Sequence, residues 1–338
     1  MIQTIRDIAS QLEAAYPKDE ALALAWWIAE ETTGLSRSQM LCDCKGTTNF
    51  PKLQDFCDKN DLCLHKNNIL AQKDCSSQEN ANVASGELCN KAESEGTTNF
   101  QIIIDRLMHF EPIQYIFGHT EWCGLDLQLT PATLIPRPET AELVETITNH
   151  KSEIINHQSE IRVLDIGTGS GCIAIALKKA HADWQVTGID ISPEAIAVAR
   201  ENARRNNVEV DFFVADIFSN QMVNGKWLNG KWFDIVVSNP PYICESEKSS
   251  MRPNVLDYEP AQALFVPDSD PLRFYRRIAQ LFENRNSLIP NPLYLFFEIN
   301  EAYPRELSAM LDELGYTDIQ ITNDIYGKPR IIQARSAR

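Results

Sequence analysis

Ile161-Arg162-Val163-Leu164-Asp165-Ile166-Gly167-Thr168-Gly169-Ser170-Gly171 is a short apolar run that ends in three glycines at alternate positions. The run reads as a buried strand, and the apolar residues after Gly171 read as a helix, so the glycines form a strand-to-helix turn. Glycine there lets the backbone bend tightly and lets a ligand approach without meeting a Cβ. The spacing is Gly-x-Gly-x-Gly, not the Gly-x-Gly-x-x-Gly of dinucleotide folds. The turn alone therefore predicts a nucleotide-like ligand and does not say which.

Working outward, the chain from about 138 to 338 alternates strand and helix. Strand candidates are Ile161–Ile166, Gln185–Asp190, Val210–Ala215, Phe233–Ser238, Leu293–Ile299, Asp318–Thr322 and Arg330–Ala334. Helices fall between most of them, for instance Pro193 to Asn206 and Pro271 to Glu283. Apolar strands interleaved with helices predict an α/β, mostly parallel sheet covered on both faces. Ligands on such sheets sit at the carboxyl ends of the strands, near the switch in strand order.

Three further segments fall at strand ends. Asp190 closes the strand after the glycine turn, where a carboxylate can accept both hydroxyls of a ribose. A helix cap is the competing role, and Ser192 is better placed for it ahead of Pro193. Asp216-Ile217-Phe218 follows the next strand; its carboxylate can accept from an exocyclic adenine amine while an apolar neighbour covers the ring.

Ser238-Asn239-Pro240-Pro241-Tyr242 is the most telling. Consecutive prolines donate no hydrogen bonds, and the Pro240 carbonyl is left free and rigidly aimed. The side-chain oxygen of Asn239 is a second acceptor beside it. Together they match the two hydrogens of a planar NH₂ group, and Tyr242 offers a flat face to cover it. An amide nitrogen is a poor nucleophile because its lone pair is delocalised. No histidine, cysteine or lysine accompanies the motif as a strong base. Paired acceptors that draw on the N–H bonds and hold the nitrogen in line with a sulfonium methyl would supply positioning and preorganised electrostatics.

Upstream, residues 1 to about 41 read as helices. Ile5, Ile8, Ala9, Leu12 and Tyr16 recur at helical spacing before Pro17; a second helix runs from about Asp19 to Thr32, ending near Gly34; Ser36 can cap a third. The helical pattern then fails. Gly46-Thr47-Thr48-Asn49-Phe50 returns as Gly96-Thr97-Thr98-Asn99-Phe100, and most of Pro51 to Glu95 is Asn, Lys, Asp, Glu, Ser or Gln. Residues 46–95 are therefore expected to be a polar, disordered insert in a helix–helix loop. Cys57, Cys63, Cys75 and Cys89 lie inside it, with Cys42 and Cys44 just before and His65 the only nearby histidine. No Cys-x-x-Cys pair occurs among them, so free thiols are expected and no metal. Gly118, Gly124 and Pro131 among alternating Leu125, Leu127 and Leu129 predict a hairpin within 111–137 that links the helical domain, 1–110, to the α/β domain, 138–338.

The chain carries 31 basic and 47 acidic residues, a net charge of −16. Such a surface repels phosphate backbones and anionic lipid, so neither nucleic acid nor membrane is an expected partner, whereas a protein is. The start lacks a signal-peptide layout and its longest apolar run, Ala21 to Ala29, is too short to span a bilayer. Nine cysteines, an odd number, fit reduced thiols and a cytoplasmic location.

With these residues in hand, the chain resembles the peptide chain release factor N5-glutamine methyltransferases. Glu111-Pro112-Ile113-Gln114-Tyr115-Ile116 with Gly118 is similar to the family's inter-domain signature, and Leu134-Ile135-Pro136-Arg137-Pro138-Glu139-Thr140 to its entry into the catalytic domain. Tyr258-Glu259-Pro260 with Ala263-Leu264, and Phe297-Glu298-Ile299, complete the order. The resemblance implies a Rossmann-like class I methyltransferase domain with a seven-stranded sheet whose last strand is antiparallel. It also implies methyl transfer from S-adenosyl-L-methionine to the glutamine of the Gly-Gly-Gln loop of release factors, with the helical domain recognising the factor. In that reading Gly167, Thr168, Gly169, Ser170, Gly171, Asp190, Asp216, Ile217 and Asn239 bind the cofactor. Asn239, Pro240, Pro241 and Tyr242 hold the glutamine, with Asn239, Pro240 and Tyr242 catalytic. The Asn-Pro-Pro-Tyr tetrapeptide also serves adenine-N6 methyltransferases on DNA or RNA. The net charge and the absence of any basic run disfavour that rival.

Overall fold

The computed structural model describes residues 2–42, 100–150, 161–219, 232–283 and 293–336. The insert at 46–95, with its four cysteines, lies outside the described residues. Two compact units emerge, Met1–Phe117 and Gly118–Arg338.

The first unit is helical: α1 (Ile2–Leu12), α2 (Lys18–Thr33), α3 (Arg37–Cys42), a helix α4 over 100–108, and α5 (Ile113–Phe117). Pro17 precedes α2 and Gly34 ends it in the left-handed region at φ +66°, its N–H donating to the Glu30 carbonyl. Ser36 caps α3 as expected: its Oγ accepts from Gln39 N at 3.3 Å, while Gln39 Oε1 accepts from Ser36 N at 2.8 Å. That reciprocal pair is a capping box. Ile5, Ile8, Leu12, Ala25, Ile28 and Leu107 form one buried cluster, the core that the helical spacing calls for.

The second unit opens with a hairpin, β1 (His119–Trp122) and β2 (Leu125–Gln128). Its two loop residues, Cys123 and Gly124, both have positive φ, as a tight two-residue turn requires. The hairpin packs within this second unit. Leu125 and Leu127 are buried in the core of this unit, and Asn202 bonds the backbone of Gln128 through both its oxygen and its nitrogen.

The remaining elements are α6 (Pro138–Asn149), β3 (Arg162–Ile166), α7 (Cys172–Ala180), β4 (Gln185–Asp190), α8 (Pro193–Arg205), β5 (Asp211–Val214), β6 (Ile235–Ser238), the two-residue pair β7 (Ile243–Cys244) and β8 (Phe265–Val266), α9 (Pro253–Leu256), α10 (Arg273–Glu283), β9 (Tyr294–Glu298), α11 (Pro304–Glu313), β10 (Tyr316–Asn323) and β11 (Pro329–Ser336). The 7-stranded sheet has the order β10-β11-β9-β6-β3-β4-β5. β3 to β6 and β9 pair in parallel, and β11 is antiparallel to both neighbours, as expected of the last strand.

The core divides by strand parity. Val163, Ile235, Val237 and Phe296 face one cluster with α6, α7 and α8 residues, while Leu164, Val236, Leu295 and Phe297 face the other with α10 and α11 residues. Each fully buried side chain of this size contributes roughly 1.5–3 kcal/mol. Strand order reverses between β3 and β6, whose ends pair as Ile166 with Ser238. That pairing is what brings the glycine turn and the Asn-Pro-Pro segment to one crevice.

Candidate active site

A cavity of about 510 Å³ opens at this switch point. One wall is the turn after β3. Gly167 and Thr168 both donate their N–H to the Ile189 carbonyl at 2.9 Å, and Gly171 N closes the turn on the Thr168 carbonyl. Gly167 and Gly169 have φ of +72° and +54°, and a Cβ on either would meet nothing within 4 Å, so the bare backbone faces open space. Thr168 is pinned from below by its hydroxyl, which donates to Asp165 Oδ2 at 2.6 Å.

Gly171 does something else. Expected among the ligand-holding glycines, it is not part of the cavity lining. A Cβ there would lie 3.1 Å from Ala199 Cβ, Ile175 Cδ1 and Phe212 Cζ. Its lack of a side chain serves the packing of α7 on α8.

Asp190 stands at the end of β4 on the cavity wall. Its Oδ2 accepts from Gly169 N and its Oδ1 from Ser192 N, both at 2.9 Å. Ser192 is the helix cap, accepting from Ala195 N at 3.0 Å. Asp190 thus ties the glycine turn to the next strand, and each of its oxygens keeps a lone pair for a ligand. Burial pushes its carboxyl up, opposed by the Ser192, Gly169 and Ile191 backbone donors. Asp216 and the buried Ile217 continue the wall, and Asp216 Oδ1 accepts from Phe218 N at 2.8 Å. Beneath, Asp165 is fully buried and pushed up to about 7 by desolvation, against the bond from Thr168.

The facing wall follows β6. Asn239, Pro240 and Pro241 line it, and Ser238 anchors it by donating its hydroxyl to the Ile166 carbonyl at 2.6 Å. Tyr242 departs from expectation: it does not line the cavity but packs on the second core cluster, and its hydroxyl donates to Glu298 Oε1 at 3.1 Å. Two residues quoted only within longer segments turn out to hold this wall. Thr140 Oγ1 donates to Glu298 Oε2 at 2.7 Å, and Asn239 Nδ2 donates to Thr140 Oγ1 at 3.2 Å. Glu298 is 1% exposed; burial raises its pKa, while Thr140, Tyr242 and Arg330 oppose the rise. The signal was present in the sequence. Tyr294-Leu295-Phe296-Phe297-Glu298-Ile299 puts one acid into an apolar strand, and a buried acid needs donors.

Above the cavity, Arg137 Nη2 donates to the buried Glu259 Oε1 at 2.6 Å, and Ile135 N to its Oε2 at 3.2 Å. This joins the Ile-Pro-Arg-Pro-Glu-Thr segment to the Tyr-Glu-Pro loop. Cys172 also lines the cavity, but burial and the nearby Asp165 push its thiol up to about 12, which leaves it a poor nucleophile. Neither histidine nor lysine lines the cavity among the described residues. The arrangement suits direct group transfer guided by acceptors, with no covalent protein intermediate.

A sheet of this order, with a glycine turn after its first strand and Asn-Pro-Pro after its fourth, defines a class I methyltransferase. The family model for the methyltransferase small domain matches residues 140–256. A release factor glutamine methyltransferase of Bacteroides thetaiotaomicron is 49% identical over 232 residues, 69% of this chain and 78% of that one. Another, from Flavobacterium psychrophilum, is 42% identical over 69% of this chain and 79% of its own length. A solved protein-(glutamine-N5) methyltransferase (release factor-specific) from Alicyclobacillus acidocaldarius aligns at 26% identity over 63% of this chain and 100% of that one, with a TM-score of 0.38. On the strength of the sequence relatives, the chain belongs to the release factor glutamine methyltransferase family.

Proposed function

We propose that this enzyme transfers a methyl group from S-adenosyl-L-methionine to the side-chain amide nitrogen (N5) of the glutamine in the Gly-Gly-Gln loop of peptide chain release factors. The observation that carries the reading is Asn239: with Nδ2 committed to Thr140, its Oδ1 is the atom left for the cavity, next to the Pro240 carbonyl. Two acceptors side by side suit an NH₂ group.

The residues fit the cofactor. Bare backbone at Gly167 and Gly169 admits close approach, Asp190 keeps acceptor capacity for a ribose, and Asp216 with Ile217 offers a carboxylate and an apolar face for adenine. When bound, S-adenosyl-L-methionine supplies an electrophilic methyl on a sulfonium, which departs as a neutral thioether. The chain's own part is to orient the amide nitrogen with Asn239 Oδ1 and the Pro240 carbonyl. Their pull on both N–H bonds raises electron density on nitrogen and stabilises the positive charge it gains as the N–C bond forms. The N-protonated amide that results is strongly acidic and gives its proton to solvent water, leaving the neutral methylated amide. No described helix is long and apolar enough to cross a membrane.

The test offers labelled cofactor, a release factor and a duplex DNA in parallel. Label on the release factor supports the reading; label on DNA adenine instead would mean that the Asn-Pro-Pro wall serves a base.

A further inference from the structure

The hydrogen-bond chain behind Asn239 has a direction, set by two hydroxyls that converge on one carboxyl group. Glu298, enclosed at the end of β9, accepts from Tyr242 across 3.1 Å and from Thr140 across 2.7 Å, so Thr140 is the donor there. A hydroxyl has a single proton, and once Thr140 has given it to Glu298 its oxygen can only accept from Asn239 at 3.2 Å. Asn239 must then present nitrogen to Thr140 and oxygen to the cavity. Without that constraint the amide could rotate by half a turn about its last side-chain bond. The cavity would then face an NH₂ donor, which suits a carboxylate.

Resting on the glutamine reading above, we propose that Thr140 and Glu298 are positioning residues that set the polarity of the acceptor site, so that it takes the amide of glutamine and rejects the carboxylate of glutamate. Tyr242 completes the device. Its hydroxyl occupies the second oxygen of Glu298 at 3.1 Å, and its backbone carbonyl accepts from Asn300 Nδ2 at 3.0 Å. The Glu298 carboxyl group is thus held in place by a donor on each oxygen. Rejection follows from physics: a glutamate carboxylate against two fixed carbonyl-type oxygens leaves acceptors facing acceptors, which is costly in a water-poor site.

The experiment uses the full chain with a release factor carrying either glutamine or glutamate in its Gly-Gly-Gln loop, the glutamate form as competitive inhibitor. Thr140→Val keeps the side-chain shape and removes the hydroxyl. We expect kcat on the glutamine factor to fall about tenfold or more, the scale of a slightly misplaced reacting group, with cofactor affinity little changed and a melting temperature lowered by the loss of one donor to the buried Glu298. We also expect the preference for the glutamine form over the glutamate form to shrink by a similar factor. Thr140→Ser restores both. Glu298→Gln, which offers only one acceptor, should reduce the preference as well, providing a second route if the valine variant folds poorly. Unaltered kcat and unaltered preference in both variants would overturn the polarity role. So would equal losses in Thr140→Val and Thr140→Ser alongside a melting temperature lowered equally in both, which would mark a packing role. Should the wild-type enzyme leave the glutamine factor unlabelled, the glutamine reading itself fails, and this inference with it.

Discussion

The two walls of the cavity are built on opposite plans. After β3 the wall is backbone: two glycines expose it, and Asp190 reaches across to hold Gly169 N. After β6 the wall is side chain, and Asn239 is aimed by Thr140 and Glu298, which stand on other elements. A backbone wall is specified by adjacent residues, whereas a side-chain wall depends on partners brought in by the fold. The first suits a ligand that every member of a broad enzyme class shares. The second suits the choice of methyl acceptor.

That contrast can be broken most sharply at Asn239. Asn239→Ala should lower turnover by about 10²-fold or more, the scale for losing one preorganised polar contact in a transition state. Cofactor affinity measured by calorimetry should fall far less than turnover, because Asn239 is one cofactor contact among several and the opposite wall is intact. A loss of affinity as large as the loss of rate would mean that the two walls are not separable.

The converse test is Asp190→Ala. It removes the acceptors proposed for two ribose hydroxyls as well as the tie to Gly169, and charge-assisted bonds are worth about 1.5–3 kcal/mol each. Calorimetry should show cofactor binding weakened at least about tenfold. Unchanged binding would place the ribose elsewhere and leave Asp190 a purely structural tie.

Within the backbone wall, the glycines should separate by role. Gly171→Ala drives a Cβ to 3.1 Å from Ala199, Ile175 and Phe212 at a φ of +81°, so denaturant unfolding should report a loss of about 1–3 kcal/mol. Gly167→Ala meets nothing within 4 Å in the protein and bears only the backbone strain of about 1–2 kcal/mol at φ +72°. Its larger effect should be on cofactor affinity. Equal stability losses with equal affinity losses would erase the distinction.

The smallest effect concerns Asp165, raised by burial to about 7. Between the ordinary carboxylate range and about 7 the unfolded chain has released this proton while the folded protein retains it. The Asp165 contribution to stability therefore falls as pH rises through that window. Asp165→Asn keeps an acceptor for Thr168 and cannot ionise. The melting temperature of the wild type relative to this variant should decline from about pH 4 to about pH 7; a flat difference would mean that Asp165 titrates normally.

How much of this could be read from sequence follows the same division. The seven strands, the turn after β3, the cap at Ser192 and the Asn-Pro-Pro segment are local patterns, and the structure realises them. Glycine is required both where a ligand comes close and where two helices do, and a sequence does not distinguish these, so the packing contacts of Gly171 were not legible in it. An aromatic beside a motif reveals nothing of its direction; here the Tyr242 ring packs on the core and its hydroxyl donates to Glu298. Thr140 received no role because its partners are 99 and 158 residues away along the chain. Such a contact exists only once β9 has joined β6 in the sheet. The hairpin expected as a connector is likewise held by Asn202 on α8, a partner 74 residues off.

The central claim is that paired acceptors on the side-chain wall present a glutamine amide to a methyl donor. Mass spectrometry of a release factor treated with this enzyme and S-adenosyl-L-methionine tests it most directly. One added methyl on the glutamine of the Gly-Gly-Gln loop, absent when that glutamine is replaced by alanine, is the predicted result. A methyl on any other residue, or undiminished labelling of the alanine-substituted factor, would contradict it.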